Sequence, residues 1–133
     1  MEKIQHQRVT TVGEFMTTSV IRVTSEMNIY QAIMFLVEHR ISGAPVTNPD
    51  DRHELVGIIS EKDCLLLLAN GAYYGVPSGK VSDYMSRNVL TVEPARDVFA
   101  VADIFLKNNY RRLPVVEDGK LVGVVTRGDV LRA

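Results

Sequence analysis

The apolar residues of this 133-residue chain follow a helical period in two places. Spacings of three and four residues put one set on a single helix face: Ile29, Ala32, Ile33, Leu36 and Val37. The second set has the same spacing: Val98, Val101, Ala102, Phe105 and Leu106. Short β-branched runs precede them, Val20 to Val23 and Val89 to Val92, and such runs favour strands. We therefore predict a strand and an amphipathic helix in each place, with Ser25 capping the first helix and Pro94 near the start of the second.

Two short apolar strands and a final helix follow each amphipathic helix. The strands are predicted at Ala44 to Val46 and Leu55 to Ile59, and again at Leu113 to Val116 and Leu121 to Val125. The last helix opens at Ser60 in the first half and at Thr126 in the second. In the first half it runs through Leu65 to Leu68 and is predicted to stop near Asn70-Gly71.

These two halves are copies of one unit. Val12-Gly-Glu-Phe-Met16 returns as Val81-Ser-Asp-Tyr-Met85, and Asp63 returns as Asp129 after a slightly shorter connection in the second copy. We predict an α/β (α+β) fold of tandem βαββα repeats, short sheets flanked by helices, packed about a pseudo-twofold axis with two equivalent clefts. The predicted divisions are a lead-in at 1–11, repeats at 12–70 and 81–133, and a linker at 71–80.

Composition narrows the function. The net charge is −1, which gives no basic field for nucleic acid, and no apolar run approaches the ~20 residues that span a bilayer. The start, MEKIQHQR, lacks the apolar core of a signal peptide, so a cytoplasmic location is expected. The single cysteine, Cys64, excludes an intramolecular disulfide and is interpreted as a buried thiol.

The sequence offers no catalytic pattern. His6, His39 and His53 lack metal-ligand spacing. The glycine-rich stretch Gly71 to Lys80 lacks the order of a P-loop. The sequence contains no nucleophile with an accompanying base, and we predict that the protein is not an enzyme and holds no catalytic cofactor.

The polar residues of interest are Ser60-Glu-Lys-Asp63 and Thr126-Arg-Gly-Asp129. Ser/Thr-x-x-Asp at a helix start resembles a capping box, in which both side chains bind free amides of the first turn. A carboxylate in that position also accepts hydrogen bonds from the cis-diol of a ribose, each charge-assisted and worth roughly 1.5–3 kcal/mol. Both interpretations stay open, and one residue set serves both purposes without conflict.

Taken together, the residues resemble a known family. The duplicated βαββα unit, the Pro-Val of Pro45-Val46 and Pro114-Val115, and Gly-apolar-apolar-(Ser/Thr)-x-x-Asp are similar to cystathionine-β-synthase (CBS) domains, whose pair is called a Bateman module. The resemblance covers residues 12–133. It implies an adenosyl ligand (AMP, ADP, ATP, S-adenosylmethionine or NAD) bound for regulation, and a homodimer.

The resemblance also implies site residues, with each cleft taking its ribose-binding pair from one copy and its base pocket from the other. The first cleft would combine Ser60 and Asp63 with Asn88, Leu90, Tyr110, Arg111 and Arg112. The second would combine Thr126 and Asp129 with Ser19, Val20, Ile41 and Ser42. For Val20 and Leu90 the alternative is an ordinary core strand position, and for the arginines a solvated surface.

The arginines distinguish the two clefts. Guanidinium groups at Arg111 and Arg112 suit phosphate oxygens, whereas the other copy has Ser42 and Gly43. The leading hypothesis is a regulatory CBS pair that binds an adenine nucleotide and signals to an unidentified effector protein by a conformational change. The alternatives are a ligand-free module for dimerisation and partner docking, and a regulatory fragment of a larger enzyme.

Overall fold

The structure is a computed structural model that describes residues 9–74 and 78–133. Residues 1–8 of the predicted lead-in and 75–77 of the predicted linker lie outside the described residues. The first half contains α1 (Val12–Phe15), β1 (Val23–Thr24), α2 (Ile29–His39), β2 (Gly43–Asn48), β3 (Asp51–Ser60) and α3 (Glu61–Tyr74). The second half contains a 3₁₀ turn (Val81–Asp83), α4 (Val98–Lys107), β4 (Arg112–Glu117), β5 (Lys120–Thr126) and α5 (Arg127–Arg132).

The sheet pairing repeats between the halves. In the first, β1 runs parallel to β2 with Val23 opposite Val46, and β2 runs antiparallel to β3. In the second, β4 pairs with β5, and an isolated parallel bridge joins Val92 to Val115. In the repeat, both members of that bridge are the counterparts of the pair Val23–Val46. The predicted fold of helices with short sheets in two βαββα copies is confirmed.

The turn between β4 and β5 is a two-residue hairpin loop. Asp118 and Gly119 both have positive φ, 52° and 78°, and consecutive left-handed residues of this kind match the twist of the flanking strands. The corresponding turn of the first copy, Pro49 and Asp50, is held differently: the Asn48 side-chain oxygen accepts the Asp50 N–H at 2.8 Å.

The chain forms two compact units that do not follow the repeats. The first-copy unit contains Ile21–Val89 and Gly119–Leu121, and the second-copy unit contains the described residues up to Val20, Leu90–Asp118 and Val122–Ala133. Helix α1 therefore belongs with the second copy, where Val12 is fully buried. The 3₁₀ turn belongs with the first copy, where Val81 is fully buried.

We call α1 and the 3₁₀ turn, each with the residues directly after it, the exchanged segments. Two glycines allow these segments to approach the strands closely. A Cβ on Gly57 would lie 2.7 Å from the Sδ of Met85 and 2.8 Å from the carbonyl oxygen of Ser86. A Cβ on Gly123 would lie 2.6 Å from the Sδ of Met16 and 3.0 Å from the carbonyl oxygen of Thr17. In each unit, the close contact between the strand and the exchanged segment therefore depends on a strand glycine, Gly57 or Gly123.

The helix cap predicted at Ser25 is wrong. Asn28 caps α2, its side-chain oxygen accepting the N–H groups of Tyr30 at 2.9 Å and Gln31 at 3.3 Å. Ser25 is engaged elsewhere, because its N–H donates to the carbonyl of Thr47 and its carbonyl accepts the N–H of Ser82. In the second copy Asp97 caps α4 through the N–H of Ala100 at 2.8 Å.

Three element boundaries also differ from the prediction. Of the first β-branched run, only Val23 lies in a strand, which continues to Thr24, because pairing to β2 begins at Val23. In the second such region, pairing is limited to the isolated bridge at Val92. Helix α3 continues past Asn70 to Tyr74, since one glycine costs a helix about 1 kcal/mol and does not by itself end it.

The predicted apolar stripe is narrower than its spacing suggested. Val37 is 64% exposed and its counterpart Leu106 is 85% exposed. Both stand at the last position of their stripe, at the edge of the buried face. Both therefore lie on the surface of their unit, although they share the helical spacing of the buried residues.

Candidate functional site

A capping carboxylate stands at the start of α3. One oxygen of Asp63, Oδ2, accepts the backbone N–H of Ser60 and its hydroxyl, both at 2.9 Å. The Ser60 hydroxyl in turn accepts the Asp63 N–H at 3.2 Å. Across residues 9–74 and 78–133, nothing donates a hydrogen bond to the second oxygen, Oδ1. The capping interpretation is therefore realised here, and it leaves one carboxylate oxygen available to a ligand.

The second copy has a similar cap, and its carboxylate has a further partner. Oδ2 of Asp129 accepts the Thr126 N–H at 2.9 Å, and the Thr126 hydroxyl accepts the Asp129 N–H at 3.1 Å. The other oxygen, Oδ1, accepts Nη2 of Arg132 at 2.8 Å. Both oxygens of this carboxylate are engaged within its own helix.

The segment before β2 lies beside the α3 cap. The Ser42 carbonyl accepts the N–H of Glu61 at 2.8 Å, and the N–H of Ile41 donates to the Leu36 carbonyl at 3.1 Å. Ile41 and Ser42 are half-buried. In the first-copy unit the structure brings together Ile41, Ser42, Ser60 and Asp63, and Asn88 belongs to the same unit as an exposed residue.

The segment before β4 is held by an arginine side chain. Nε of Arg127 donates to the Tyr110 carbonyl at 2.9 Å, and Nη2 donates to the carbonyls of Asn108 at 3.2 Å and Phe105 at 3.4 Å. The guanidinium also stands 6.0 Å from the centre of the Phe105 ring. This clamp fixes the backbone just before Arg111, which is exposed, and Arg112, which is half-buried at the start of β4.

The remaining predicted residues lie in the second-copy unit. Ser19 is exposed and Val20 is half-buried. Leu90 borders a cavity of about 520 Å³ that is also lined by Thr91, Val92, Glu93, Ala95, Arg96 and Ile104. None of the other predicted site residues lines that cavity. Each predicted cleft draws on residues of both units, and the grouping of residues into clefts stays a prediction.

Sequence reasoning missed Arg127 and Arg132. The signal for Arg132 was present, because Asp129-x-x-Arg132 has the i, i+3 spacing of a helical ion pair. Arg127 could not have been found this way, since its partners are carbonyls 17 to 22 residues earlier.

Cys64 follows the α3 cap and is buried, as predicted. Burial, and then the charges of Asp63 and Glu61, raise the pKa of its thiol. The thiolate is thereby disfavoured at neutral pH. Within the described part of the chain, no group of three His, Cys, Asp or Glu side chains could hold a metal ion.

Three comparisons bear on this arrangement. The model of the CBS domain matches residues 12–70 and 81–133. The chain is 39% identical to the chloroplastic CBS domain-containing protein CBSX1 of Arabidopsis thaliana, over 94% of this chain and 64% of that one. The chain thus spans somewhat less than two thirds of that relative.

Two solved structures are similar in fold and sequence. The crystal structure of CBSX2 in complex with AMP has a TM-score of 0.80 at 35% identity, covering 92% of this chain and 94% of that one. The CBS domain pair of protein MJ0100, in complex with 5-methylthioadenosine and S-adenosyl-L-methionine, has a TM-score of 0.77 at 30% identity, covering 94% and 95%. In the described ranges, no helix is both long and apolar enough to cross a membrane.

Proposed function

From the premise that this chain belongs to the CBS domain family, we propose that it is a regulatory module that binds an adenine nucleotide or a related adenosyl ligand. The observation that carries the proposal is the Asp63 carboxylate, held at a helix start through Oδ2 while Oδ1 is left without a partner in the described chain. The complexes of CBSX2 with AMP and of MJ0100 with two adenosyl compounds support the choice of ligand.

The ribose is the part of the ligand that Asp63 would recognise. A vicinal diol offers two hydroxyl donors, and an ionised carboxylate accepts them in charge-assisted bonds of about 1.5–3 kcal/mol each. The cap fixes the carboxylate before the ligand arrives, which reduces the ordering cost of binding. Ser60 contributes by holding Oδ2, so that Oδ1 faces the diol alone.

The phosphates belong with Arg111 and Arg112 in this proposal. Their guanidinium groups suit phosphate oxygens, and the Arg127 clamp fixes the backbone that precedes them. Leu90 and Asn88 complete the pocket predicted around Asp63. A second set, Ser19, Val20, Ile41 and Ser42, is proposed to serve Thr126 and Asp129 with a less charged adenosyl ligand.

The proposal includes a homodimer. Helices α4 and α5 expose large apolar side chains: Phe99 at 73%, Leu106 at 85% and Leu131 at 85%. In the other unit, α2 and α3 expose further apolar residues: Tyr30, Met34, Val37, Leu65, Leu66 and Leu68. Surfaces of this kind mark contacts with another chain. Sedimentation equilibrium is expected to give about twice the monomer mass of 14.8 kDa.

The decisive experiment is calorimetric titration of Asp63→Asn with AMP. If Asp63 holds the ribose, affinity falls by about tenfold or more, because a charge-assisted bond is lost. Asp83→Asn is the matched control: Asp83 also caps a turn of the first-copy unit, through the Lys80 N–H at 2.9 Å, and no site role is assigned to it. If Asp63→Asn binds AMP as tightly as Asp83→Asn does, Asp63 is a helix cap alone.

A second titration tests the phosphate assignment. Arg112→Ala is expected to weaken ATP far more than adenosine, because the guanidinium is assigned to phosphate and not to sugar or base. Equal losses for the two ligands would contradict the assignment. Thermal unfolding with AMP, ADP, ATP, S-adenosylmethionine and NAD identifies the preferred ligand, since about 100 times the Kd adds roughly 2.7 kcal/mol.

The wider role is proposed to be non-enzymatic and cytoplasmic, with ligand occupancy passed to an effector protein by a conformational change. Cell fractionation tests the location. If no adenosyl ligand binds the folded protein, the exposed apolar residues of α4 and α5 favour the ligand-free docking module instead.

A further inference from the structure

The two capping carboxylates differ at their Oδ1 oxygens. Oδ1 of Asp129 accepts Nη2 of Arg132 at 2.8 Å, whereas Oδ1 of Asp63 has no donor in the described chain. The side chain of Asp129 is only 12% exposed, and that of Arg132 is 73% exposed. The arginine therefore covers a largely buried carboxylate from the solvent side, at the oxygen that Asp63 keeps available.

The local sequence makes room for this contact in one copy only. A Cβ on Gly128 would lie 3.1 Å from Nη1 and 3.5 Å from Nη2 of Arg132, so the guanidinium folds back over a residue without a side chain. When Asp63 is aligned with Asp129, the first copy has Lys62 in place of Gly128 and Leu66 in place of Arg132. Leucine has no group to donate to Asp63, and Leu66 is exposed.

We infer that Arg132 is a specificity-determining residue: it competes with a ribose diol for Asp129 and makes the Asp63 half of the molecule the stronger nucleoside acceptor. This inference rests on the proposed function, since both halves use the same carboxylate chemistry. A guanidinium at Oδ1 occupies the acceptor and neutralises its charge, and both effects weaken a hydroxyl's bond to the carboxylate. A ligand at Asp129 must displace the arginine or share the oxygen with it.

The size of the effect follows from the exposure of the pair. Ion pairs with a solvent-exposed partner contribute about 0.2–1 kcal/mol, which corresponds to at most about a fivefold change in affinity. Arg132 therefore ranks the two halves without abolishing binding at Asp129. Adenosine is the appropriate probe, because it has the diol and no phosphate that the arginine itself could attract.

The test first removes the Asp63 site, so that adenosine binding depends on Asp129, and then removes Arg132. Adenosine affinity is compared by calorimetry in Asp63→Asn and in Asp63→Asn combined with Arg132→Ala. We expect the combined variant to bind about two- to fivefold more tightly. The gain should vanish with 2′,3′-dideoxyadenosine, which lacks the diol. Lys107→Ala in the same background is the matched control: it breaks the helical pair with Asp103, 2.9 Å long, in the same unit, and no gain is expected.

The reciprocal test brings the arginine to the first copy. Leu66→Arg combined with Lys62→Gly, in an Asp129→Asn background, places a guanidinium one helical turn after Asp63 and beside a residue without a side chain. It is expected to weaken adenosine binding about two- to fivefold. Leu66→Gln combined with Lys62→Gly in the same background controls for the loss of the leucine and the lysine. Equal affinities with and without Arg132, or equal affinities of the two halves in the unaltered protein, would overturn the inference and leave the proposed function standing. An unaltered protein that binds neither AMP nor adenosine would overturn both.

Discussion

Helices α2 and α4 occupy the same place in the two copies but end by different means, although Val46 and Val115 in the strands that follow pair with the equivalent residues Val23 and Val92. In the first copy the backbone does it: Arg40 takes a left-handed conformation with φ 54°, and the N–H of Ile41 donates to the Leu36 carbonyl at 3.1 Å. In the second copy Asn108 stays extended at φ −134°, and the Arg127 side chain binds the carbonyls that follow the helix.

The difference shows which part of the fold is fixed by the repeat and which is free to vary. The strand position is common to both copies. Bonds between neighbouring residues reach it in the first copy, whereas the second copy adds the long-range Arg127 side chain to the local bond from the Asn108 side-chain amide to the Ile104 carbonyl, 2.8 Å long. In the second copy the backbone before Arg111 depends on a side chain from α5. Glu61, the counterpart of Arg127, has a carboxylate that cannot donate to carbonyls.

The largest effect is expected where the copies agree. Gly57→Ala and Gly123→Ala should each destabilise the protein by about 2–3 kcal/mol, because the new methyl group meets a backbone carbonyl oxygen at 2.8 or 3.0 Å. Urea unfolding of both variants measures the change. A loss no larger than that of an ordinary surface substitution, about 0.5 kcal/mol, would show that the exchanged segments are loosely seated.

The next effect tests the long-range clamp. Arg127→Ala removes three hydrogen bonds to backbone carbonyls and the contact with Phe105, and is expected to cost about 1–2 kcal/mol of stability. Arg127→Lys should recover only part of it, because an ammonium lacks the planar fork. Glu61→Ala is the matched change in the first copy, with an expected cost below about 0.5 kcal/mol. A similar cost at both positions would remove the distinction between the copies.

A smaller effect of opposite sign is expected at the local cap. Arg40→Gly should stabilise the protein by about 0.5–1 kcal/mol, because glycine adopts a positive φ without the steric cost that a Cβ carries. Asn109→Gly, at the equivalent position, should destabilise it slightly, since φ there is not positive. Thermal unfolding of the two variants compares them directly. Stabilisation by both changes would contradict the assigned difference.

The smallest effect is expected inside α3. Cys64 is buried in the first-copy core, and its counterpart in the second copy is Val130. Cys64→Val keeps the apolar character of the site and adds one heavy atom, which the equivalent position of the second copy already holds, so the expected change in stability is about 0.5 kcal/mol or less. Urea unfolding measures it, and a loss above the about 1.5 kcal/mol that bounds volume-conserving core changes would indicate a specific role for the thiol.

Much of each copy could be predicted from local pattern. The amphipathic spacing located α2 and α4, and Ser/Thr-x-x-Asp identified both caps, because these features depend on residues within a few positions of each other. The cap at Ser25 failed for the opposite reason. Its backbone groups are taken by Thr47 and Ser82, which are distant in sequence.

The exchange of segments could not be predicted for a related reason. Val12 and Val81 occupy the same position of the repeat, and each fits the apolar surface that the repeat offers. Similarity between the copies therefore removes the information that would assign α1 to one unit or the other. The Arg127 clamp could not be predicted either, because its donor and acceptors belong to elements that only the tertiary structure brings together.

The exchange of α1 and the 3₁₀ turn has a consequence for how the chain folds. The second-copy unit joins Val12 to Arg96 and Thr17 to Val124 through backbone hydrogen bonds, and each of these contacts closes a loop that includes more than half of the chain. Loop closure over such distances carries an entropic cost before any contact is gained, and a high contact order slows folding. The first-copy unit lies within Ile21–Val89 apart from the three residues Gly119–Leu121, so most of it closes shorter loops and should form first. Synthesis on the ribosome would then deliver an early, ordered half, while α1 waits for its partners until β5 has been synthesised.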